Sequence, residues 1–202
     1  MLAIFKREFK SYFQNVIGWL FVAALLAVYG LYFYVYNLKN GYPYISYDLK
    51  GISFIMMIAV PILTMRSLSD EKKTKTDQLM LTSPVSVGRI VAGKYFAMAA
   101  VYTIDIALFA LSPLVLSIYG KVALSEAYVA LFGYWLYGLS CIAVGLFISS
   151  ISESVIISAI LTFAALFLSY MMQSITGLIS SSENLLTKVL NCFDLYTPFE
   201  NF

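Results

Sequence analysis

Few residue types in this chain could do acid–base, nucleophilic or metal chemistry. Histidine is absent, so the commonest general base is missing. The two cysteines, Cys141 inside an apolar run and Cys192 near the end, form neither a disulfide framework nor a metal-ligand cluster. No Ser-His-Asp set, Cys-His pair or carboxylate dyad with a plausible shared pocket is present. We therefore predict that the chain is not an enzyme and holds no metal.

One stretch has the spacing of a phosphate-binding loop. Residues 88–95, GRIVAGKY, fit the pattern G-x-x-x-x-G-K, but Tyr95 stands where a Ser or Thr would hold magnesium. No strand precedes the stretch, and it runs directly into an apolar segment. We therefore expect no nucleotide binding by this chain, and we interpret Lys94 as an anchor at the lipid headgroups on the cytoplasmic side.

A single acidic residue, Asp105, lies inside a long apolar run. It follows Lys94 by eleven residues, or about 16 Å along a helix, which places it near the middle of a bilayer. An ionisable group there costs at least about 2.5 kcal/mol. Two interpretations stay open: a neutral or hydrogen-bonded Asp105 that meets Tyr102, Thr103 or a hydroxyl on another span, or a functional residue that serves a substrate or a proton.

The elements that would position these residues are membrane spans. Of the 202 residues, 61% are hydrophobic and 12% are charged, whereas about a quarter of the residues in soluble domains are charged. The net charge of +2, without a basic patch, argues against nucleic acid as a partner. Crossing about 30 Å of hydrocarbon takes about 20 helical residues. The sequence predicts an all-α protein of the lipid bilayer, a single transmembrane domain over 1–202 with five spans at 16–36, 51–68, 95–119, 127–151 and 154–178.

The N-terminal segment is amphipathic. Apolar residues recur at helical spacing, and basic residues fall largely on the other side. The apolar set is Leu2, Phe5, Phe9 and Tyr12, and the basic set is Lys6, Arg7 and Lys10. This pattern predicts a helix over 1–14 that lies in the membrane surface.

The distribution of Lys and Arg indicates the orientation, because cytoplasmic loops carry an excess of these residues. With the N-terminus inside, nine of the 13 lie on the cytoplasmic side and four lie outside. The inner set is Lys6, Arg7, Lys10, Arg66, Lys72, Lys73, Lys75, Arg89 and Lys94, and the outer set is Lys39, Lys50, Lys121 and Lys188. We expect a cytoplasmic N-terminus, and five crossings then leave 179–202 as an extracytoplasmic segment.

The segment 69–88 is the one substantial polar stretch on the predicted inner side. Ser69 can cap a helix whose first turn holds Asp70 and Glu71, which suit the positive end of a helix. Apolar residues follow at 79–81, and Ser83-Pro84 ends the helix. A short helix with a charged part and an apolar part suits docking into a groove on another protein, although an ordinary solvated loop fits the composition equally well.

Three small residues share one face of the fourth predicted span. Gly138, Cys141 and Gly145 recur at helical spacing. Small residues at this spacing are typical of places where helices pack closely, so we predict a packing face.

The run 65–95, MRSLSDEKKTKTDQLMLTSPVSVGRIVAGKY, resembles the signature of type-2 ABC exporter permeases. In that family an acidic pair, basic residues, a Thr, a leucine-rich turn and a Ser-Pro-Val-Ser turn lead into a Gly-Lys at the base of the third span. The layout of a surface helix followed by spans is similar over essentially the whole chain. The closing LYTPFENF resembles the outer segment that precedes a sixth span. The resemblance implies the type-2 ABC exporter fold, with a sixth span in the full chain.

The resemblance also implies a function. The chain would be the permease subunit of an ATP-driven exporter in a bacterial or archaeal plasma membrane, paired with a second permease copy or a related permease. Two ABC ATPase subunits would bind ATP and magnesium, so this chain would bind no cofactor. Lys75 departs from the usual glycine. The residues that match the coupling segment by position are Asp70, Glu71, Lys72, Lys73, Thr76, Leu79 and Leu81.

The sequence allows alternative interpretations of the pathway and of the function. The apolar spans favour an amphipathic or lipid-like substrate, and Met171, Met172 and Gln173 could line a flexible pathway for it or face lipid. A non-ABC channel or ion-coupled secondary transporter would use Asp105 and need no ATPase. A motility or regulatory membrane subunit on the same fold would keep the ATPase contact but move no substrate, because fold does not determine function.

Overall fold

The computed structural model describes residues 2–42, 44–73, 86–119 and 123–179. All the regular elements in these ranges are helices, which confirms the predicted all-α fold. In chain order they are α1 (Leu2–Gln14), α2 (Val16–Phe33) with a π-helical continuation (Tyr34–Lys39), α3 (Ile45–Thr64), α4 (Ser69–Lys73), α5 (Val87–Phe109), α6 (Ser112–Tyr119), α7 (Leu124–Ile151) and α8 (Val155–Ile179).

Four stretches of the described residues are long and apolar enough to cross a membrane. They are Val16–Lys39, Ile45–Lys73, Val87–Ile118 and Leu124–Ile151, and each overlaps one of the first four predicted spans. The fifth predicted span, 154–178, corresponds to α8, which runs from Val155 to Ile179 and is apolar over Val155–Met171, the part whose side chains the structure describes.

The second membrane helix starts earlier than the sequence predicted. α3 begins at Ile45 instead of residue 51, so it contains Asp48 and Lys50. Asp48 lies in the first turn, where a negative side chain is favourable, and it is fully buried. Its Oδ2 accepts a hydrogen bond from Nδ2 of Asn37 in the π-helical continuation. A charged residue therefore need not end a span when a neighbouring helix supplies a polar partner.

The third predicted span consists of two helices. α5 ends at Phe109 and α6 begins at Ser112. Pro113 has no backbone N–H, and its ring would clash with the Phe109 carbonyl in a continuous helix. The Ser112 hydroxyl donates to that carbonyl at 2.7 Å and also shares a hydrogen bond with the Tyr29 hydroxyl of α2. The polar groups at the break therefore have partners inside the bundle.

The central helix of the bundle is α3. It packs against α2, α7 and α8, while α5 packs against α1, α2 and α7. The α3 side chains of Leu49, Ile52, Met56 and Leu63 are fully buried in this core. The last turn of α3, the first turns of α5 and the last turn of α7 meet α1 and α4 at one end of the bundle, which we call the α1 end.

Small residues bring α7 close to its neighbours. At Gly138 a Cβ atom would collide with the Tyr102 ring of α5, and at Gly145 it would lie 2.5 Å from Oγ1 of Thr64 in α3. Cys141 lies between the two glycines on the same face and is buried. The hydrophobic effect does not drive helices together inside lipid, so close packing of this kind has to hold them. The predicted packing face is confirmed.

A tight elbow joins α1 to α2. A Cβ atom at Gly18 would lie 2.5 Å from the Tyr12 carbonyl oxygen, so only glycine allows this approach. The rings of Phe5, Phe9 and Phe13 follow one another along α1 and end on Trp19 of α2. The helix predicted over 1–14 is present as α1, and its location in the membrane surface stays a prediction.

Candidate functional site

A buried ion cluster joins three helices at the α1 end. Lys94 of α5 is 2% exposed, and its Nζ donates to Glu71 Oε1 of α4 at 2.7 Å and to the Ser67 carbonyl at 2.8 Å. Oε1 of Glu8 in α1 lies 3.4 Å from the same Nζ. A lysine ammonium has three N–H donors, and here they face three partners. One cation thus connects α1, α4 and α5.

A second cation belongs to the same cluster. Nη2 of Arg7 donates to Glu8 Oε1 at 2.8 Å and lies 3.8 Å from Glu71 Oε1. The cluster therefore contains two acids and two bases, with Lys94 inside and the exposed Arg7 outside. A buried charge persists only when it is paired and hydrogen-bonded, so this cluster holds the three helices in one arrangement.

The position of Lys94 differs from the sequence interpretation. The headgroup-anchor interpretation is wrong, because the side chain is buried and points into the protein. The partner that could not be found by spacing is Glu8, which lies far before Lys94 in the chain, in the N-terminal helix α1. A signal does exist in α1: Glu8 is its only acidic residue, and it lies one turn from both Phe5 and Tyr12 on the apolar side.

The start of α4 is fastened to the end of α7. The Ser149 hydroxyl accepts hydrogen bonds from the N–H groups of Leu68 and Ser69, each at 3.2 Å. The first N–H groups of a helix lack partners within it, so this hydroxyl acts as a cap supplied by another helix. Lys72 donates to the Ser150 carbonyl, which adds a second contact to the same end of α7. α4 is therefore attached to α7 as well as to α5.

Ser69 does not cap α4 as the sequence predicted. Its hydroxyl donates to the Met65 carbonyl one turn earlier, and its side chain is buried. Ser and Thr side chains inside a helix often donate to the carbonyl four residues back, and Ser69 is the first residue of α4 instead of the residue before it. The capping role passes to Ser149, which no local pattern could indicate.

Tyr12 extends the contact between α1 and the end of α3. Its hydroxyl donates to the Leu63 carbonyl at 3.4 Å. Burial raises the pKa of this phenol, and the negative charge of Glu8 raises it further. The phenol therefore remains protonated, and able to donate, at physiological pH.

A polar cleft of about 550 Å³ lies at the α1 end between α1 and the start of α4. Charged residues of both signs line it. The bases are Arg7, Arg66 and Lys94, and the acids are Glu8, Asp70 and Glu71. A surface with charges of both signs suits a protein partner with a complementary pattern.

The predicted coupling residues fall into three groups. Asp70 and Lys73 have exposed side chains on α4. Glu71 and Lys72 are half-buried and face the bundle. Outside the described residues lie Thr76, Leu79 and Leu81.

Asp105 lies on the buried face of α5. It is 0% exposed, and neither carboxylate oxygen has a hydrogen-bond partner among the described residues. The side chains that the sequence suggested as partners bond elsewhere: Tyr102 donates to the Tyr134 carbonyl and Thr103 donates to the Ala99 carbonyl, each at 2.7 Å. A buried polar group without a partner is unfavourable, so Asp105 remains a candidate for a function.

Sequence reasoning missed a second buried carboxylate, Asp48. Its partner Asn37 is also buried, and Oδ1 of each residue lacks a hydrogen-bond partner in the described part of the chain. The two residues flank the short connection between the first two membrane helices, and this closeness was the available signal. The pair ties the π-helical continuation of α2 to the first turn of α3.

The remaining predicted site residues lie on α8. Met171 is half-buried, and the side chains of Met172 and Gln173 lie outside the described residues. Across the described residues no group of three or more His, Cys, Asp or Glu side chains could hold a metal ion.

Comparison with models of protein families matches residues 24–202 to the ABC-2 family transporter protein model. The matched region begins within α2 and contains α4, Lys94 and Asp105, whereas Glu8 and the rest of α1 precede it. No curated protein and no solved structure gave a match.

Proposed function

As a member of the ABC-2 transporter family, this chain is a multi-pass membrane permease subunit of an ABC transporter, and we propose that it couples ATP hydrolysis by a separate ATPase to export. The observation that carries the proposal is the cluster around Lys94. It links α4, which holds the exposed residues Asp70 and Lys73, to the membrane helix α5. A displacement of α4 by a partner would therefore move α5.

The attachments of α4 favour a coupled movement over a local one. Glu71 joins α4 to α5, and Ser149 joins the start of α4 to α7. Arg7 of α1 lies 3.8 Å from Glu71, so α1 is connected to α4 as well. A five-residue helix with polar contacts to three neighbouring helices cannot shift alone without breaking buried polar contacts. ATPase closure would thus tilt the spans between two discrete arrangements.

The assembly follows from this role. Two ATPase subunits would dock at the α1 end, which would be cytoplasmic, and a second permease copy or a related permease would complete the pathway in a bacterial or archaeal plasma membrane. The excess of Lys and Arg on that side supports the orientation. An amphipathic or lipid-like substrate fits the apolar spans.

The test begins with purification of the full chain from its native cells in mild detergent, with mass spectrometry of the co-purifying proteins. We expect an ABC ATPase. Asp70→Ala should weaken its retention, because Asp70 is exposed on α4. Glu71→Gln should retain the ATPase but reduce the effect of the permease on ATPase activity, because Glu71 faces Lys94.

A matched control uses an acid at the opposite end of the bundle. Glu126→Gln changes an exposed acid near the start of α7 and should alter neither retention nor activity. Failure to recover any ATPase under all conditions would overturn the proposal.

A second candidate function is an ion-coupled transporter within the same fold. The observation that favours it is Asp105, which is fully buried and without a hydrogen-bond partner among the described residues. Ion flux through vesicles in the absence of ATP, lost in Asp105→Asn, would favour this function. A motility or regulatory subunit would retain the ATPase and show neither export nor flux.

A further inference from the structure

An apolar groove runs along the outside of the bundle between α5 and α7. It has a volume of about 530 Å³, and Phe5 of α1 forms part of its lining at the α1 end. Ala99, Thr103 and Ala107 recur every four residues and so form one row along α5. Trp135 supplies the facing wall from α7. Three helices therefore line the groove, and its open side faces the surrounding membrane.

The polar atoms of the groove are already bonded within the protein. Thr103 donates to the Ala99 carbonyl at 2.7 Å and accepts from the Trp135 indole N–H at 3.1 Å. The Tyr95 hydroxyl donates to the Leu139 carbonyl at 3.2 Å. The groove consequently presents an apolar surface. A chain of methylene groups fits it best, because it has no polar groups that would lose hydrogen bonds on entering.

The length of the groove along α5 is close to the thickness of one leaflet's hydrocarbon. From Tyr95 to Ala107 the α5 backbone rises about 18 Å, and half of the hydrocarbon core is about 15 Å. A membrane helix of a second copy would need a groove along the whole span. An acyl chain from one leaflet needs only this half.

Charge on α1, the helix that contributes Phe5 to the groove, indicates the kind of lipid. Phe5 lies in the amphipathic helix α1, which exposes Lys6 and Lys10 to solvent. Lysines beside a membrane surface attract anionic headgroups. We propose that the groove binds an acyl chain of an anionic phospholipid from the leaflet that contacts α1, with its phosphate near Lys6 and Lys10. This lipid would hold α1 against α5 and α7, and its binding requires no ATPase.

Trp135 provides a direct reporter, because the chain has two tryptophans and the other, Trp19, lies at the elbow between α1 and α2. The full-length Trp19→Phe protein would be placed in phosphatidylcholine vesicles containing small fractions of lipid with brominated acyl chains, which quench tryptophan on contact. We expect half-maximal quenching at an about fivefold lower mole fraction of brominated phosphatidylglycerol than of brominated phosphatidylcholine.

Variants separate the headgroup contact from the groove. Lys6→Gln with Lys10→Gln should abolish the difference between the two lipids, whereas Lys39→Gln with Lys73→Gln, which removes two exposed lysines elsewhere, should retain it. Ala100→Leu, which fills the groove, should reduce quenching by both lipids.

Equal quenching by both lipids in the parent protein would mean bulk lipid contact, and no quenching by either would mean cover by another protein chain. Either result overturns the proposal.

Discussion

Nζ of Lys94 lies 2.7 Å from Oε1 of Glu71, although the two residues are 23 positions apart in the chain. The contact crosses from the first turns of a membrane helix to a short helix outside the core. It gives α4 a direct connection to α5 besides the backbone between them. A displacement of α4 would therefore act on the membrane helix α5 through this ion pair.

Lys94→Met tests whether this ion pair holds the α1 end together. The change leaves the carboxylates of Glu8 and Glu71 side by side without their buried cation, so it should lower the free energy of unfolding by about 3 kcal/mol. Thermal unfolding in mild detergent, followed by circular dichroism, measures the change. Adding Glu71→Gln to Lys94→Met should recover part of the loss, because Glu8 keeps its bond to Arg7 and the charge of Glu71 is then removed.

The matched control for this prediction is Lys73→Met. Lys73 is exposed on α4, and such surface substitutions usually change stability by no more than about 0.5 kcal/mol. Equal unfolding temperatures for Lys94→Met and Lys73→Met would show that the ion cluster around Lys94 does not stabilise the folded protein.

Gly138→Ala tests the close approach of α7 to α5. The added Cβ would collide with the Tyr102 ring, whose hydroxyl is bonded to the Tyr134 carbonyl and cannot move away freely. Overpacking of this kind costs about 1–3 kcal/mol. Gly30→Ala is the control, because nothing lies within 4 Å of its Cβ position, and alanine should favour that helix by up to about 1 kcal/mol. Thermal unfolding should therefore show a lower unfolding temperature for Gly138→Ala and an unchanged or higher one for Gly30→Ala. A decrease of the same size in both variants would contradict the packing explanation.

Local patterns were sufficient for the features that depend on one helix. The length of the apolar runs indicated the helices, and the spacing of Gly138 and Gly145 indicated a packing face, because both signals repeat along a single element. The amphipathic pattern of the first 14 residues predicted α1 in the same way.

Features that depend on two distant elements could not be predicted. Lys94 has the sequence context of a headgroup anchor, and only the folded chain brings Glu8 and Glu71 to it. The cap of α4 shows the same limit, since Ser149 lies 80 residues after Ser69 in the chain. A buried charge is acceptable only where another element supplies its partner, and sequence spacing does not report that meeting.

Ser149→Ala tests the cap that α7 provides for α4. The loss of the hydroxyl leaves the N–H groups of Leu68 and Ser69 without their acceptor, which should cost about 1 kcal/mol. Coupling should suffer more than stability, because α4 then loses one attachment to the membrane helices. We therefore expect the ATPase to co-purify while its response to the permease falls.

The control for the cap lies on the same helix. The Ser140 hydroxyl is exposed and bonds the Leu136 carbonyl within α7, so Ser140→Ala should leave stability and coupling unchanged. A similar loss of coupling in Ser140→Ala would refute a specific role for the cap.

Asp105 offers the last test, because its two substitutions separate structure from function. Asp105→Leu keeps the branching of the side chain and replaces the oxygens, which lack hydrogen-bond partners among the described residues, with methyl groups. Removing an unsatisfied buried polar group should raise the free energy of unfolding by about 1–3 kcal/mol. Asp105→Asn keeps the size and polarity, so the protein should still fold and retain its ATPase.

The activity of these two variants then decides the role of the carboxyl group. If Asp105 serves a substrate or a proton, both variants should fold, retain the ATPase and lose export. If the residue is only tolerated, the leucine variant should be more stable and fully active. Since Asp105 lies on the α5 face that packs within the bundle, a functional carboxyl would act inside one permease, and mixing active and inactive copies should then reduce activity in proportion. A steeper loss in such mixtures would place the critical step between copies instead.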